Sequence, residues 1–393
     1  MGSALRLARV AGVEIRAHWS LLVVVALLVW SLAGGVFPST DPGLSDGAYL
    51  AMALVAAFLF LASILLHELG HAVQARREGV PIGGITLWVF GGVAELRGDM
   101  PSPGAELRIA AAGPAVSLLL GVVCLGAALA LHLPAGVDGV LFWIGQINLS
   151  LLVFNLIPAL PLDGGRMLRA LLWARRRDLL SATRTAGALG RGFGQLLIAG
   201  GVVLAIVGGD IGGLWLVFMG WFLLAAAEAE LQSTSARAAL SGLTVADLMV
   251  RDPVTVPATT SVHAFMDEIF LSTRHTAFPV LDGPDVVGIV SFRHALALPP
   301  ARWPVTSVRA IAVTGPDVAI DADAPLTEAL PRLTGGDLRR LLVVHHGRLA
   351  GLLSATDVLR VLEVRTRVVA SERRGTAPVA APTRPRPVLR PDR

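Results

Sequence analysis

The segment "LASILLHELGHAVQARREGV", residues 61 to 80, begins as an apolar run and ends among arginines, with His67, Glu68 and His71 at the changeover. On a helix, residues four apart project from one face a turn apart, so His67 and His71 can aim both imidazoles at one metal ion. Glu68 stands on nearly the same face, where a carboxylate can accept a proton from a water that the metal activates. Imidazole and carboxylate ligation in a tetrahedral site with one position left open favours zinc, with other divalent ions also compatible with these residues. The chemistry this spacing points to is hydrolysis. Ionisable groups at the end of an apolar span are expensive to hold there and are usually functional, which separates these three from ordinary interfacial polar residues.

A catalytic zinc takes three protein ligands, and a second constellation offers the third. In "NLSLLVFNLIPALPLDGGRMLRALLW" an apolar run is broken by Pro158 and Pro161, and Asp163 follows. At a helical rise of about 1.5 Å per residue, His67 near the end of one run and Asp163 just past the end of another reach a comparable depth. Taken alone, "PLDGGR" also reads as a helix start with Asp163 as its N-cap.

The elements that must position these residues are transmembrane helices. The 393 residues are 54% hydrophobic and 16% charged, and the mean hydropathy of +0.67 is far above that of a soluble domain. Spanning runs occur at about 19–35, 49–72, 108–132, 139–160, 194–209 and 212–231. The fifth is the weakest, interrupted by Gly192, Gly194, Gly200 and Gly201. All 33 basic residues are arginines, which with abundant Ala, Gly, Val and Pro suggests a GC-rich bacterial genome. Arginine is absent from 36–48, 133–138 and 210–211 but frequent in 1–18, 73–107 and 161–193. By the positive-inside rule both termini are cytoplasmic, as an even number of spans requires. Arg6, Arg9 and Arg16 precede a first run read as an uncleaved anchor in a multi-pass protein of the bacterial cytoplasmic membrane.

The same placement answers the sequence pI of 10.6. With a net charge of only +4 and arginines grouped beside apolar runs, the basic residues set topology, and no nucleic-acid partner is expected. Cys124 is the single cysteine and lies inside an apolar run, so there is no disulfide framework. Between the second and third spans, "PIGGITLWVFGGVAELRGD" alternates and carries glycine pairs at 83–84 and 91–92. It predicts a short hairpin or re-entrant sheet, which at membrane depth must be shielded by protein or water.

From about residue 243 the composition becomes that of a soluble α/β domain, and the order strand, helix, strand, strand, helix occurs twice at a spacing of about 60 residues. The expected division is a cytoplasmic N-terminal segment 1–18, a six-span domain 19–232, a linker 233–242, repeats at 243–300 and 301–363, and a disordered Pro- and Arg-rich tail 364–393. His345 and His346, followed by Gly347, read as a hairpin turn.

These motifs resemble the site-2 protease family of intramembrane zinc metalloproteases. "HELGH" is similar to its metal motif, "NLIPALPLDGGR" to its second motif, "ELRIAAAGPAVS" at 106–117 to the opening of its third core span, and "IRAHWSLL" at 15–22 to its N-terminal portion. The resemblance covers residues 1 to about 230. It implies that His67, His71 and Asp163 bind one zinc ion per chain, that Glu68 is the general base, and that Asn155 lies near the scissile peptide. Ser117 departs from the pattern, where an asparagine is expected after Gly113 and Pro114. For Asn155 a helix-packing amide is the competing reading. A substrate helix must unwind to expose its carbonyls, and Gly91 and Gly92 are expected in an edge strand that holds the unwound stretch by strand addition.

The repeat at 243–363 resembles a tandem pair of CBS domains, modules that often bind adenosine nucleotides between repeats. In "GLLSATDVLR" the resemblance implies phosphate contact from Ser354 or Thr356 and ribose contact from Asp357. In "GIVSFRHALA" His294 occupies the aspartate position, so one ribose site is expected to be lost. The resemblance further implies a transmembrane protein substrate such as an anti-sigma factor, with the CBS pair modulating the protease or forming a homodimer. The competing class is a transporter or channel gated by CBS domains, which would spread polar residues over several spans; here they concentrate at the proposed metal site.

Overall fold

The computed structural model describes residues 4–10, 12–89, 91–96, 100–131, 133–134, 136–273, 275–335 and 338–373. The chain divides into two compact units, residues 1–234 and 235–393.

Six helices of the first unit are long and apolar enough to cross a membrane. The first span, Ser20–Thr40, is built from α1 (Ser20–Ser31), a π-helical turn (Leu32–Val36) and α2 (Phe37–Thr40). The others are α3 (Asp46–Arg77), α4 (Pro103–Ala130), α5 (Val137–Asn155), α7 (Leu179–Ile206) and α8 (Gly212–Leu240), while α6 (Asp163–Arg176) is short and polar. At most 33% of the most apolar stretch of any span is buried within the protein. The remaining apolar surface needs a lipid environment, since water would oppose its exposure.

Local chemistry sets the helix ends. Ser45 accepts from the Ala48 N–H at the start of α3, Ser102 from Ala105 at the start of α4, and Asp178 from Ser181 at the start of α7. Arg76 and Arg77 in the last turn of α3 complement its dipole. The span expected at 194–209 begins at Leu179, and its glycines do not weaken it as expected. A Cβ on Gly201 would fall 2.5 Å from the Gly213 carbonyl, and one on Gly194 would fall 2.8 Å from that of Gly220. These residues are where α7 and α8 pack backbone against backbone, a contact that small side chains permit.

The segment after α3 forms a hairpin, β3 (Ile82–Trp88) with β4 (Gly91–Leu96), as its alternation predicted. It is half of a larger sheet. Residues 1–18, expected to be a plain N-terminal segment, contain β1 (Ala4–Val10) and β2 (Val13–His18), and the order is β1-β2-β3-β4 with β2 parallel to β3. Val13, Ile85 and Leu87 pack with Ala72 of α3, so the sheet lies against the helix that carries the histidines. β4 is an edge strand.

In the second unit, α9 (Val245–Leu248) and β5 (Val250–Arg251) precede two similar modules. The first holds β6 (Val256–Pro257), α10 (Val262–Ala264), β7 (Ala277–Asp282), β8 (Asp285–Ser291) and α11 (Phe292–Leu296). The second holds β9 (Ala319–Asp321), α12 (Leu326–Gly335), β10 (Arg340–His345), β11 (Arg348–Ser354) and α13 (Ala355–Arg373). Each has an antiparallel hairpin flanked by a parallel strand, with orders β6-β7-β8 and β5-β11-β10-β9. His346 and Gly347, both at positive φ, turn the second hairpin. The segment expected to be disordered from residue 364 starts as helix, because α13 continues to Arg373; residues 374–393 lie outside the described residues.

Candidate active site

The i, i+4 spacing of His67 and His71 on α3 places their rings 4.8 Å apart between centroids, with Nε2 atoms separated by 3.1 Å. Asp163 comes from another element. It is the first residue of α6, with Leu162 rather than Asp163 as the N-cap, and the chain between α5 and α6 folds back through Pro158 and Pro161 to present it. Its Oδ2 lies 3.2 Å from His67 Nε2 and 3.3 Å from His71 Nε2.

Three donor atoms at the corners of a triangle with sides of 3.1, 3.2 and 3.3 Å fit one ion. Tetrahedral ligands at about 2.0–2.1 Å from zinc stand about 3.3 Å from one another. The far side of each ring is held as well. His71 Nδ1 lies 2.7 Å from the Ile109 carbonyl, which can only accept, so the proton is on Nδ1 and the Nε2 lone pair faces the triangle. His67 Nδ1 lies 2.9 Å from Ser117 Oγ, which can accept in the same way. Converging lone pairs repel unless a cation sits among them, so the donor set fits a metal.

α4 supplies the backing. A Cβ on Gly113 would fall 2.2 Å from His71 Nε2 and 2.5 Å from His67 Nε2, so this position has to be glycine for the donors to meet. Ser117, which departs from the resemblance, is the residue that touches His67. Sequence reading missed both roles, although Gly113 is legible as a helical glycine next to a proline. Glu68 adjoins β4: a Cβ on Gly92 would fall 2.3 Å from Glu68 Cγ. Gly91, at φ +119, meets nothing within 4 Å of a built Cβ and provides the turn rather than the approach. Asn155 is the half-buried last residue of α5. The amide that ties spans together is Asn148, fully buried, whose Nδ2 donates to Ser63 of α3 at 3.1 Å.

In the second unit a cavity of about 470 Å³ lies between the two modules, lined by Ser291, Arg293, Arg339, Arg340, Ser354 and Thr356 among others. Ser354 and Thr356 both line it. Asp357 is not among the lining residues. Its carboxylate accepts from Ser354 Oγ at 2.5 Å and its N–H donates to the same oxygen, so Ser354 caps α13 and Asp357 holds the cap. At the corresponding place in the first module His294 accepts through Nδ1 from the Ser291 N–H at 3.3 Å, at the start of α11. Sequence reading missed the three arginines, two of which, Arg339 and Arg340, stand adjacent at the start of β10.

The sequence matches peptidase family M50 over residues 55–133 and 126–199, and the CBS domain over 245–300 and 308–364. The chain is 40% identical over 370 residues to the candidate zinc metalloprotease Rip3 of Mycobacterium tuberculosis, covering 93% of this chain and 94% of that protein. It is 28% identical over 364 residues to a zinc metalloprotease of Methanocaldococcus jannaschii, covering 93% and 97%. Among solved structures, a site-2 protease from Methanocaldococcus jannaschii aligns with a TM-score of 0.42 at 28% identity, over 58% of this chain and 95% of that one.

Proposed function

Because the chain belongs to peptidase family M50, as a multi-pass zinc metalloprotease with a pair of CBS domains, we propose that it is an endopeptidase cutting membrane-embedded substrates near the cytoplasmic face. His67, His71 and Asp163 hold the zinc and Glu68 is the general base. The observation that carries this reading is the donor triangle with a second carboxylate beside it, set at the arginine-rich end of α3. Zinc supplies Lewis acidity there, lowering the pKa of water and polarising the peptide carbonyl. Glu68 takes a proton from the attacking water onto its carboxylate and delivers it to the departing amide nitrogen. Ser117 and the Ile109 carbonyl keep both imidazoles turned toward the site.

β4 supports strand addition as the mode of substrate binding. It is an edge, it passes beside Glu68 at Gly92, and an edge strand offers backbone groups to an unwound stretch of substrate. Gly92 keeps that approach open, Gly91 turns the chain into the strand, and Asn155, at the end of α5, is the side chain assigned to the substrate peptide. Both termini are placed in the cytoplasm on the arginine alternation. The substrate class is a membrane-anchored regulator such as an anti-sigma factor, released by regulated intramembrane proteolysis.

The functional division is a protease domain over 19–232 following the segment 1–18, a linker 233–242, and CBS repeats at 243–300 and 301–363. The CBS cavity takes an adenosine nucleotide, with Ser354, Thr356 and the lining arginines meeting phosphate and Asp357 holding Ser354 in place. Occupancy of that cavity, or dimerisation through the pair, modulates cleavage.

The test is metal content of detergent-purified protein together with cleavage of a model transmembrane substrate, for wild type, Glu68→Ala and Asp163→Ala. Expected are about one zinc per chain in wild type and Glu68→Ala, weaker zinc in Asp163→Ala, and cleavage reduced about 10²–10⁴-fold or more in both variants. Cleavage that survives Glu68→Ala, or a wild type that binds no zinc, refutes the assignment.

A further inference from the structure

A buried ionic cluster lies outside the donor triangle and joins the helices that build it. Arg169 of α6 is 6% exposed and Glu106 of α4 is 2% exposed. Arg169 Nε donates to Glu106 Oε1 at 2.6 Å, a second guanidinium nitrogen reaches the same oxygen, and a third donates to Glu230 Oε1 of α8 at 2.5 Å. Glu106 Oε2 is buried with no hydrogen-bond partner among the described residues.

The placement of Glu106 on α4 gives the cluster its significance. Glu106, Ile109, Gly113 and Ser117 follow one another at spacings of three, four and four residues, which is one face of a helix. That face holds His71 through the Ile109 carbonyl, admits both rings at Gly113, and holds His67 through Ser117. The same face grips α6, the helix that begins with Asp163. Unlike α3, α4 and α7, α6 has no side-chain hydrogen bond at its N-cap, and its first turn packs on its own preceding loop through Gly164 and Gly165, so neither feature ties it to α4. The directional guanidinium–carboxylate bond from Arg169 to Glu106 does tie it to α4. A slip of α6 by one residue, about 1.5 Å along its axis, would break a 2.6 Å bond and carry Asp163 out of the triangle. Buried ion pairs seldom add net stability over an apolar pair of the same volume, and their better-attested role is to specify register.

We propose that Arg169 and Glu106 are positioning residues that set the register of α6 against α4 and so place Asp163 for zinc. The proposal rests on the assignment of His67, His71 and Asp163 as ligands.

The experiment measures zinc affinity of the full-length, detergent-purified protein by competition with a chromophoric chelator, for Arg169→Met, Arg169→Lys and Glu106→Gln, each in wild-type and Asp163→Ala backgrounds. If the cluster acts through Asp163, Arg169→Met weakens zinc about 10–100-fold in the wild-type background. In the Asp163→Ala background it costs less than about 3-fold, because the group it places is gone. Arg169→Lys, which keeps the charge and loses the fork, falls between Arg169→Met and wild type. Equal losses in both backgrounds mean a general structural role and overturn the proposal, as does wild-type affinity in all three variants. Should Arg169→Met not fold, Arg169→Lys and Glu106→Gln carry the same two-background comparison. Failure of the ligand assignment itself looks different: Asp163→Ala alone would then bind zinc as tightly as wild type.

Discussion

Two places among the described residues gather imidazole and carboxylate donors within 4.8 Å of one another: His67, His71 and Asp163 in the first unit, and Asp321, Asp323 and His345 in the second. The donor types are the same and the surroundings are opposite. In the first group His67 is 7% exposed, and each ring has its far nitrogen on a fixed acceptor of α4. In the second all three residues are exposed, with 45% of the His345 side chain and 80% of that of Asp323 open to solvent. His345 Nδ1 stands 3.7 Å from Asp323 Oδ2, and Asp321 is already engaged by the Asp323 N–H at 2.9 Å. Residue type and proximity are therefore common to both. Only the first has a neighbouring helix that removes water, holds the rings and leaves a gap the size of one ion.

The comparison breaks most sharply at Gly113. Gly113→Ala puts a methyl group where the two Nε2 atoms converge, and zinc content should fall at least about 10–100-fold in affinity, measured by chelator competition, with cleavage lost alongside. Wild-type zinc binding by that variant would mean that the donors do not meet where the triangle places them. A smaller effect is expected at Ser117. Ser117→Ala removes the acceptor behind His67 and leaves all three ligands, so zinc should weaken about 10-fold while one ion per chain still binds at saturation. The smallest effect sharpens the other side of the comparison: His345→Ala should leave zinc stoichiometry and cleavage unchanged and shift stability by no more than about 0.5 kcal/mol, read from thermal unfolding of the solubilised protein. A loss of one zinc in His345→Ala would show that exposure does not disqualify the second group.

The parts legible in the sequence are those with a local signature. His67, Glu68 and His71 could be read because a helix converts a spacing of four into a shared face. Asp163 could be read because prolines broke the run before it. The β3–β4 hairpin could be read from its alternation and glycines, but its partners β1 and β2 could not. Arg16 with Glu14 and His18 alternates with apolar residues in β2, but in β1 Arg6 and Arg9 stand three apart across a register shift, so β1 carries no clean period of two and the charge that marks topology drew attention from the period in β2. The glycines of the fifth span were misread for a related reason. A glycine lowers helix propensity in isolation, and only the neighbouring helix shows that Gly194 and Gly201 are contact points. Asn155 and Asn148 are both asparagines on α5, and nothing in their local sequence says that Asn148 is the one to reach Ser63.

The sequence by itself determined the three converging donors, the carboxylate next to them, the six spans and the repeated second half, since each is written in spacing, periodicity or composition within one segment. Tertiary structure decided which groups stand behind the donors. Ser117 on His67, the Ile109 carbonyl on His71, Gly113 in the gap, Gly92 against Glu68 and Arg169 on Glu106 each join residues on separate elements. Such pairings depend on the rotation and register of one packed element against another. A sequence read one segment at a time carries no term for either.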